Sequence, residues 1–224
     1  LIEVGPRDGL QNISTFIPTE MKVQFIQDLS RAGLQHIEAT SFVSPRWIPQ
    51  MADHQQVLEL LPSTTQTHYH VLVPNLKGAQ TAIDCGAKHL SVFTAASDAF
   101  SRKNTNRSIK DSLQDIQDII TLAQTYDIPV RSYLSCIIDC PYGERVQADT
   151  VITLIEQLIN LGSYQVSLGD TLGNGTPDQL ATLTRQALRH LDPAQIALHC
   201  HDTKGHAIEN IKACLNEGAT TFDS

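Results

Sequence analysis

The chain has 224 residues, 41% of them hydrophobic, which is enough to bury the core of one large globular domain. Its formal charge of −8 excludes binding to nucleic acid or anionic membranes through the net field of the protein, although a local basic pocket for phosphate stays open. The five cysteines are scattered and odd in number, which favours a reducing compartment over a disulfide framework.

The sequence gives only indirect indications of the cellular compartment. No apolar run approaches the roughly 18 to 20 residues that span a bilayer. The chain starts at Leu1 without an initiator methionine, so no presequence is visible. We expect a cytoplasmic protein, with a mitochondrial location left open.

Short runs of β-branched and apolar residues alternate with stretches of helical periodicity along the whole chain. Alternation with a period of about 30 residues predicts parallel β/α units. Eight such strands favour a (β/α)₈ TIM barrel forming a single catalytic domain over residues 1–224, and a doubly wound open sheet is the alternative. We expect this barrel to lack its C-terminal helix and the loop after strand eight. The predicted strands lie near residues 1–4, 36–40, 69–73, 89–93, 130–135, 164–168, 196–200 and 220–223.

Two of the predicted helices have clear N-terminal signals. Ser108 to Asp111 resembles a capping box, and Thr176-Pro177 places proline at the first helical position. Gly162 and Gly218 lie where two helices are predicted to end.

The first predicted strand ends in "GPRDG", so that Arg7 and Asp8 lie at the carboxyl end of a strand, where barrels of this type carry their chemistry. Gly5 and Gly9 permit backbone angles that other residues resist, which would aim both side chains into the barrel mouth. A surface ion pair is the simpler interpretation. Glu38, inside the second strand, would be costly to bury unless paired, and Arg7 is its expected partner.

Three further strand ends carry polar residues. Strand four is followed by Arg102 and Lys103, which are solvated loop residues unless the substrate carries phosphate groups. Strand five carries Tyr133. Strand six ends at Asp170, before a glycine-rich loop that could admit a phosphate but is more simply a loop.

The seventh strand ends in "HCHD", and alternation along a strand turns His199 and His201 to the same side and Cys200 to the other. Two imidazoles with the carboxylate of Asp8 predict a metal site, and a hydrogen-bonding role for the histidines is the alternative. Mixed nitrogen and oxygen ligation indicates a catalytic Mg²⁺ or Mn²⁺, and the absence of thiolates from the set argues against structural zinc. Cys200 is most simply a small buried apolar residue.

Several blocks of the sequence resemble the 3-hydroxy-3-methylglutaryl-CoA (HMG-CoA) lyases, metal-dependent lyases built on a TIM barrel. The resemblance extends from the first residue to the last. The isopropylmalate and homocitrate synthases share the Arg-Asp-Gly and His-x-His features but lack "GLQN" and "SFVSP", so the lyases are preferred. A condensing synthase and a catalytically incomplete metal-binding barrel remain the alternatives. The matching blocks are "EVGPRDGLQN", "TSFVSPRWIPQMADH", "PNLKGA", "SLGDTLGNGTP" and "HCHDTKG".

The resemblance implies cleavage of HMG-CoA to acetyl-CoA and acetoacetate, a retro-Claisen reaction of leucine degradation and ketone-body formation, by a homodimer that binds neither nucleic acid nor membrane. Arg7 would face the thioester oxygen, where negative charge develops. Glu38 would orient Arg7, and a proton shuttle by Asp8 or His199 is a hypothesis. The implied metal ligands are Asp8, His199 and His201, and the implied acyl-pocket residues are Tyr133 and Asp170.

The chain also departs from this family. The family carries a glycine-rich segment with a catalytic cysteine after strand eight, and then an asparagine that completes the metal shell. This chain ends at Asp223-Ser224, before both, so we expect a fragment of a lyase. Where some members have a lysine for the CoA phosphates, this chain has Ile13-Ser14, and Lys103 is the expected substitute.

Overall fold

A computed structural model describes residues 1–62 and 66–224 of the chain. The fold is built from parallel strands and intervening helices, as predicted. The strands are β1 (His36–Ser41), β2 (His68–Leu72), β3 (His89–Ala95), β4 (Val130–Ser135), β5 (Gln165–Asp170) and β6 (Ile196–Cys200). The helices are α1 (Thr19–Arg31), α2 (His54–Leu60), α3 (Leu76–Asp84), α4 (Asp98–Thr105), α5 (Ile109–Gln124), α6 (Ala148–Leu161), α7 (Pro177–Ala187) and α8 (Ala207–Asn216).

The described residues form two compact units. The first contains residues 1–92, 121–129 and 224, and the second contains residues 93–120 and 130–223. None of the described helices combines the length and apolar character that crossing a membrane requires. The prediction of a single catalytic domain over residues 1–224 stays a prediction.

In the first unit, strands β1 and β2 pair in parallel and residues of β3 continue the ladder. Helix α1 covers this ladder with Val23 and Ile26, which lie three positions apart and so share one helical face. They pack with Ile37 of β1 and Val57 of α2, and Ile26 and Ile37 have no exposed surface. Burial of such aliphatic side chains stabilises the unit by about 1.5–3 kcal/mol each.

In the second unit, β4, β5 and β6 form another parallel ladder. Helix α6 buries Val151, Leu154, Ile155 and Leu158, an apolar stripe at helical spacing. Helices α7 and α8 contact each other, and the Thr184 hydroxyl donates to the Cys214 sulfur at 3.3 Å. The ladder places the ends of β5 and β6 side by side, with Asp170 opposite Cys200.

The predicted helix ends are confirmed. The Ser108 hydroxyl accepts from the Asp111 amide at 3.1 Å, and α5 begins at the next residue. Thr176 forms a capping box with Gln179 at the start of α7. Gly162 and Gly218 follow α6 and α8 with φ of 114° and 103°, the left-handed region that favours glycine.

The two predicted terminal strands are wrong as extended strands. Residues 1–4 form isolated bridges at Ile2 and Glu3 rather than an extended strand, with Glu3 parallel to Ile37, because the chain turns at once into a π-helical segment at Gly5–Gly9. Pro6, which has no amide hydrogen, cannot continue a ladder. Residues 220–223 likewise form isolated bridges at Phe222 and Asp223, with Phe222 parallel to Leu198.

Candidate functional site

The Arg7-Asp8 pair of the first unit lies in the π-helical segment Gly5–Gly9. The amides of both residues donate to the Val4 carbonyl, at 3.1 and 2.7 Å. The predicted use of Gly5 and Gly9 is wrong, because neither is among the described glycines with positive φ. The Gly5 amide donates to Glu3 Oε1 at 2.7 Å, and a Cβ at this position would require the Glu3 carboxylate to shift.

Arg7 is a buried cation held by carboxylates. Only 6% of Arg7 is exposed, and Glu38 is fully buried. The guanidinium donates through Nε to Glu38 Oε2 at 2.5 Å and through Nη1 to Asp8 Oδ1 at 2.7 Å. The predicted pairing of Glu38 with Arg7 is therefore confirmed. Arg7 also pairs with Asp8, but its burial rules out the alternative of a simple surface pair.

His199 and His201 of the second unit converge as predicted. Their Nε2 atoms lie 3.2 Å apart, and the ring centroids are 4.9 Å apart. Cys200 lies between them on the other side of β6, and burial raises the pKa of its thiol to about 12. A thiol with that pKa stays protonated at neutral pH in the absence of a metal, and its position on the other side of the strand directs it away from the two imidazoles.

Asp223 fixes the orientation of His199. Its Oδ2 lies 3.1 Å from His199 Nδ1, and Arg131 contacts both of its oxygens, at 2.5 and 3.3 Å. The Ser167 hydroxyl donates to Oδ2 at 2.7 Å. Burial by itself would raise the pKa of Asp223, but the charge of Arg131 and the His199 contact outweigh it and lower that pKa to about 2.

This network decides the tautomer of His199. An ionised Asp223 can only accept, so the proton in the 3.1 Å contact belongs to His199 Nδ1. In the neutral ring, Nε2 then keeps its lone pair and points at His201. A carboxylate behind a histidine is the usual support of a metal-binding imidazole. The donor set of the second unit therefore fits a cation at the two Nε2 atoms.

The three residues predicted to bind substrate, Tyr133, Asp170 and Lys103, lie in different environments. Tyr133 in β4 is 7% exposed and its ring stands edge-on to His199, with centroids 5.8 Å apart. Asp170 is buried at the end of β5 and accepts from the Gly175 amide at 2.9 Å. Lys103 is exposed on α4, so the interpretation of Arg102 and Lys103 as loop residues is wrong. Ser97 caps that helix by accepting from the Phe100 amide, which explains why the segment is helical.

Two groups of clustered polar residues were missed by sequence reasoning. Arg131 and Asp223 are buried charges that support His199, and the signal was an arginine inside the otherwise apolar run "VRSYL". The second group is four histidines of the first unit at the beginnings of β1, β2 and β3. Their signal was that each begins, or nearly begins, a predicted strand. These residues are His36, His68, His70 and His89.

The parallel β/α fold, with paired imidazoles at the carboxyl end of a strand, defines a class: metal-binding enzymes built on β/α barrels. Comparison with known proteins identifies the family. The HMGL-like family model matches residues 1–224, and the chain belongs to this family.

The relatives are HMG-CoA lyases. The chain is 45% identical to the cytoplasmic 3-hydroxy-3-methylglutaryl-CoA lyase of Rattus norvegicus, covering all of this chain and 65% of that protein. It is 44% identical to the mitochondrial hydroxymethylglutaryl-CoA lyase of Gallus gallus, covering all of this chain and 75% of that protein.

Solved structures of HMG-CoA lyases have the same fold as this chain. The hydroxymethylglutaryl-CoA lyase of Pseudomonas aeruginosa superposes with a TM-score of 0.96 at 43% identity, covering all of this chain and 74% of that one. This likeness confirms the predicted TIM-barrel class. The chain thus spans about two thirds to three quarters of the length of the proteins it resembles.

Proposed function

We propose that this chain carries the catalytic residues of an HMG-CoA lyase, which cleaves HMG-CoA to acetyl-CoA and acetoacetate with the help of a divalent cation. Family membership over residues 1–224 supports the reaction. The observation that carries the chemistry is the pair of Nε2 atoms 3.2 Å apart on His199 and His201, with His199 oriented by Asp223.

The proposed metal ligands are Asp8, His199 and His201. The support is chemical: one carboxylate and two imidazoles make a donor set able to hold a metal ion. Mg²⁺ and Mn²⁺ are the proposed ions, because oxygen ligands from the substrate would complete the shell. When bound, such a cation lowers the pKa of a coordinated hydroxyl and neutralises a carboxylate.

The chain's own residues would then move the proton and stabilise the charge. Asp8 accepts the proton of the C3 hydroxyl, because His199 uses Nδ1 to donate to Asp223 and Nε2 to bind the cation. The C3 oxygen forms the new carbonyl of acetoacetate, and the electron pair of the C2–C3 bond moves onto C2 and the thioester oxygen. Arg7 stabilises the negative charge on that oxygen, and Glu38 holds the guanidinium in place. Return of the proton to C2 completes acetyl-CoA.

Three residues are proposed to bind the substrate. Tyr133 and Asp170 line the acyl pocket, and both are buried near the carboxyl ends of their strands. Lys103 contacts the CoA phosphates, and its exposed position on α4 suits a mobile anionic partner. We further propose a homodimer acting in leucine degradation. A cytoplasmic location is proposed, and relatives carry both cytoplasmic and mitochondrial names.

The test is turnover by the chelator-stripped protein with and without added Mg²⁺ or Mn²⁺. Acetoacetate is followed by its NADH-dependent reduction in a coupled assay. We expect no turnover without the cation and recovery when it is added. Turnover that is equally fast in the presence of chelator would contradict the proposal.

The variant Arg7→Gln separates catalysis from metal binding. We expect it to lose turnover while Mn²⁺ binding, measured by electron paramagnetic resonance, stays close to that of the parent protein. Arg31→Gln is the matched control, because the Arg31 side chain is 66% exposed and should leave both properties unchanged. Full turnover by Arg7→Gln would refute its assigned role. Supplying acetyl-CoA with a 2-oxo acid and measuring free thiol tests the condensing-synthase alternative.

A further inference from the structure

Four histidines meet at the amino-terminal ends of the strands in the first unit. His36 begins β1, His68 and His70 belong to β2, and His89 begins β3. The register pairs His36 with His68 and His70 with His89. Because side chains alternate along a strand, all four imidazoles lie on the same face of this ladder.

The four rings pair through their nitrogens. His36 Nδ1 lies 3.2 Å from His70 Nε2, and His68 Nδ1 lies 3.1 Å from His89 Nε2. The two pairs also touch each other: the ring centroids of His36 and His68 are 4.9 Å apart and stacked, and those of His70 and His89 are also 4.9 Å apart. The result is one continuous cluster of imidazoles, which we call the four-histidine cluster.

The nitrogen distances are those of ligands on a shared metal ion. With metal–nitrogen bonds near 2.0–2.1 Å, two imidazole ligands stand about 2.9 Å apart at a right angle and about 3.3 Å apart in a tetrahedron. The observed 3.1 Å between His68 and His89 falls between these limits. The same distance also suits a single N–H···N hydrogen bond between His68 and His89. A cation could therefore replace the shared proton with little movement of the two rings.

The cluster is accessible from solvent. His68 is exposed, and His36 and His89 are partly exposed, whereas His70 is buried with 1% of its surface accessible. A cation can therefore reach the His68–His89 pair directly, and His36 stacks on the same ring. Burial, followed by the neighbouring His68 and His36, lowers the pKa of His89 to about 4.

We propose that the His68–His89 pair of the four-histidine cluster binds a divalent transition-metal ion of the Zn²⁺, Ni²⁺ or Cu²⁺ class, with these two imidazoles as the ligands. A set made only of imidazoles selects these ions over Mg²⁺, which prefers oxygen ligands. This site is separate from the cation site proposed for the lyase reaction and does not depend on it, since every ligand belongs to the first unit.

The test counts bound ions. Isothermal titration of the chelator-stripped protein with Ni²⁺ at pH 7.5 is compared with that of His68→Gln/His89→Gln. We expect the double variant to lose one equivalent of bound Ni²⁺, and we expect His199→Gln/His201→Gln to keep that equivalent. With Cu²⁺, the electron paramagnetic resonance spectrum of the latter variant should show nitrogen ligation. Equal stoichiometry and affinity in the parent and His68→Gln/His89→Gln would overturn the proposal.

Two controls keep the result interpretable. His190→Gln/His206→Gln removes two exposed histidines of the second unit and should leave the Ni²⁺ stoichiometry at the cluster unchanged. His68→Gln alone changes an exposed residue and should preserve folding, as checked by circular dichroism. If this single variant folds normally and its Ni²⁺ affinity is not reduced at least tenfold, His68 is not a ligand and the proposal fails.

Discussion

The two histidine groups of this protein are supported in different ways. In the four-histidine cluster, imidazole nitrogens pair with other imidazole nitrogens, His36 with His70 and His68 with His89. His199 instead rests on a buried carboxylate, Asp223, which is held in turn by Arg131 and Ser167. The first arrangement leaves proton positions exchangeable, whereas the second fixes one tautomer.

This difference explains which group suits catalysis. A catalytic ligand must keep its geometry through the reaction, and a buried carboxylate behind the imidazole supplies that constraint. A cluster of exchangeable imidazoles can adjust to ions of different geometry, which suits binding better than catalysis. The following predictions test this contrast, beginning with the largest expected effect.

Removing the charge behind His199 should be the most damaging change. In Asp223→Asn the guanidinium of Arg131, whose side chain is 1% exposed, keeps its charge without a counter-charge. Breaking a buried pair in this way costs about 3–5 kcal/mol. Urea unfolding of the parent and variant measures the loss, and Asp28→Asn, at an exposed pair, should leave the unfolding midpoint nearly unchanged.

The same pair gives a pH dependence with a definite sign. The pKa of Asp223 is lowered from 3.8 to about 2 in the folded state. The unfolded chain therefore binds the proton first, so the stabilisation is present above pH 3.8 and is lost as the pH falls towards 2. We expect Asp223→Asn to lack this part of the acid transition, and identical acid profiles would contradict the assignment.

Substitutions in the two histidine groups should affect turnover differently. His199→Gln removes a proposed metal ligand, and we expect cation-dependent turnover to fall by about 100-fold or more. His68→Gln changes the four-histidine cluster and should retain turnover close to that of the parent. Steady-state assays at saturating Mn²⁺ measure both, and a comparable loss in His68→Gln would remove the functional distinction between the groups.

Strand-forming runs and the turn and capping residues beside them allowed much of this architecture to be predicted from the sequence. Six of the eight expected strands are present because their β-branched runs are bounded by strong turn and capping residues, such as Thr176-Pro177 and Gly162. The segments at 1–4 and 220–223 differ because each forms only isolated bridges, and the first is soon followed by Pro6, which cannot donate to a ladder. The neighbours of a short segment, rather than its composition, decide how far a ladder extends.

Some features of the candidate site were predicted from the sequence and others were not. The convergence of His199 and His201 follows from the alternation of side chains along one strand, and the Arg7–Glu38 pair follows from the cost of burying a lone carboxylate. The Arg131–Asp223 support was missed because an arginine inside a strand indicates a buried counter-charge but does not indicate which acidic residue, here 92 positions away, supplies it. The four-histidine cluster depends on strand register, which composition does not encode.

Substitution of Gly173, which lies near His201, should have the next smaller effect on stability and Mn²⁺ binding. Gly173 has φ of 63°, and a Cβ there would lie 2.7 Å from the His201 carbonyl oxygen and 2.9 Å from the Thr203 amide. Gly173→Ala should therefore displace the segment that carries His201, at a cost of about 1–3 kcal/mol. We expect weaker Mn²⁺ binding together with lower stability. Gly9→Ala, where a Cβ would meet nothing within 4 Å, is the matched control.

The smallest effect is expected on the opposite face of β6. Cys200 lies between the two histidines in sequence but faces away from them, and the pKa of its thiol, raised by burial to about 12, keeps it protonated. Its alkylation by iodoacetamide at pH 8 should be about 1,000-fold slower in the folded than in the urea-unfolded protein. Cys200→Ala should leave Mn²⁺ affinity and turnover unchanged and cost at most about 1 kcal/mol. A marked loss of Mn²⁺ affinity would mean that the sulfur contributes to the cation site, and the division of β6 into a binding face and a packing face would be wrong.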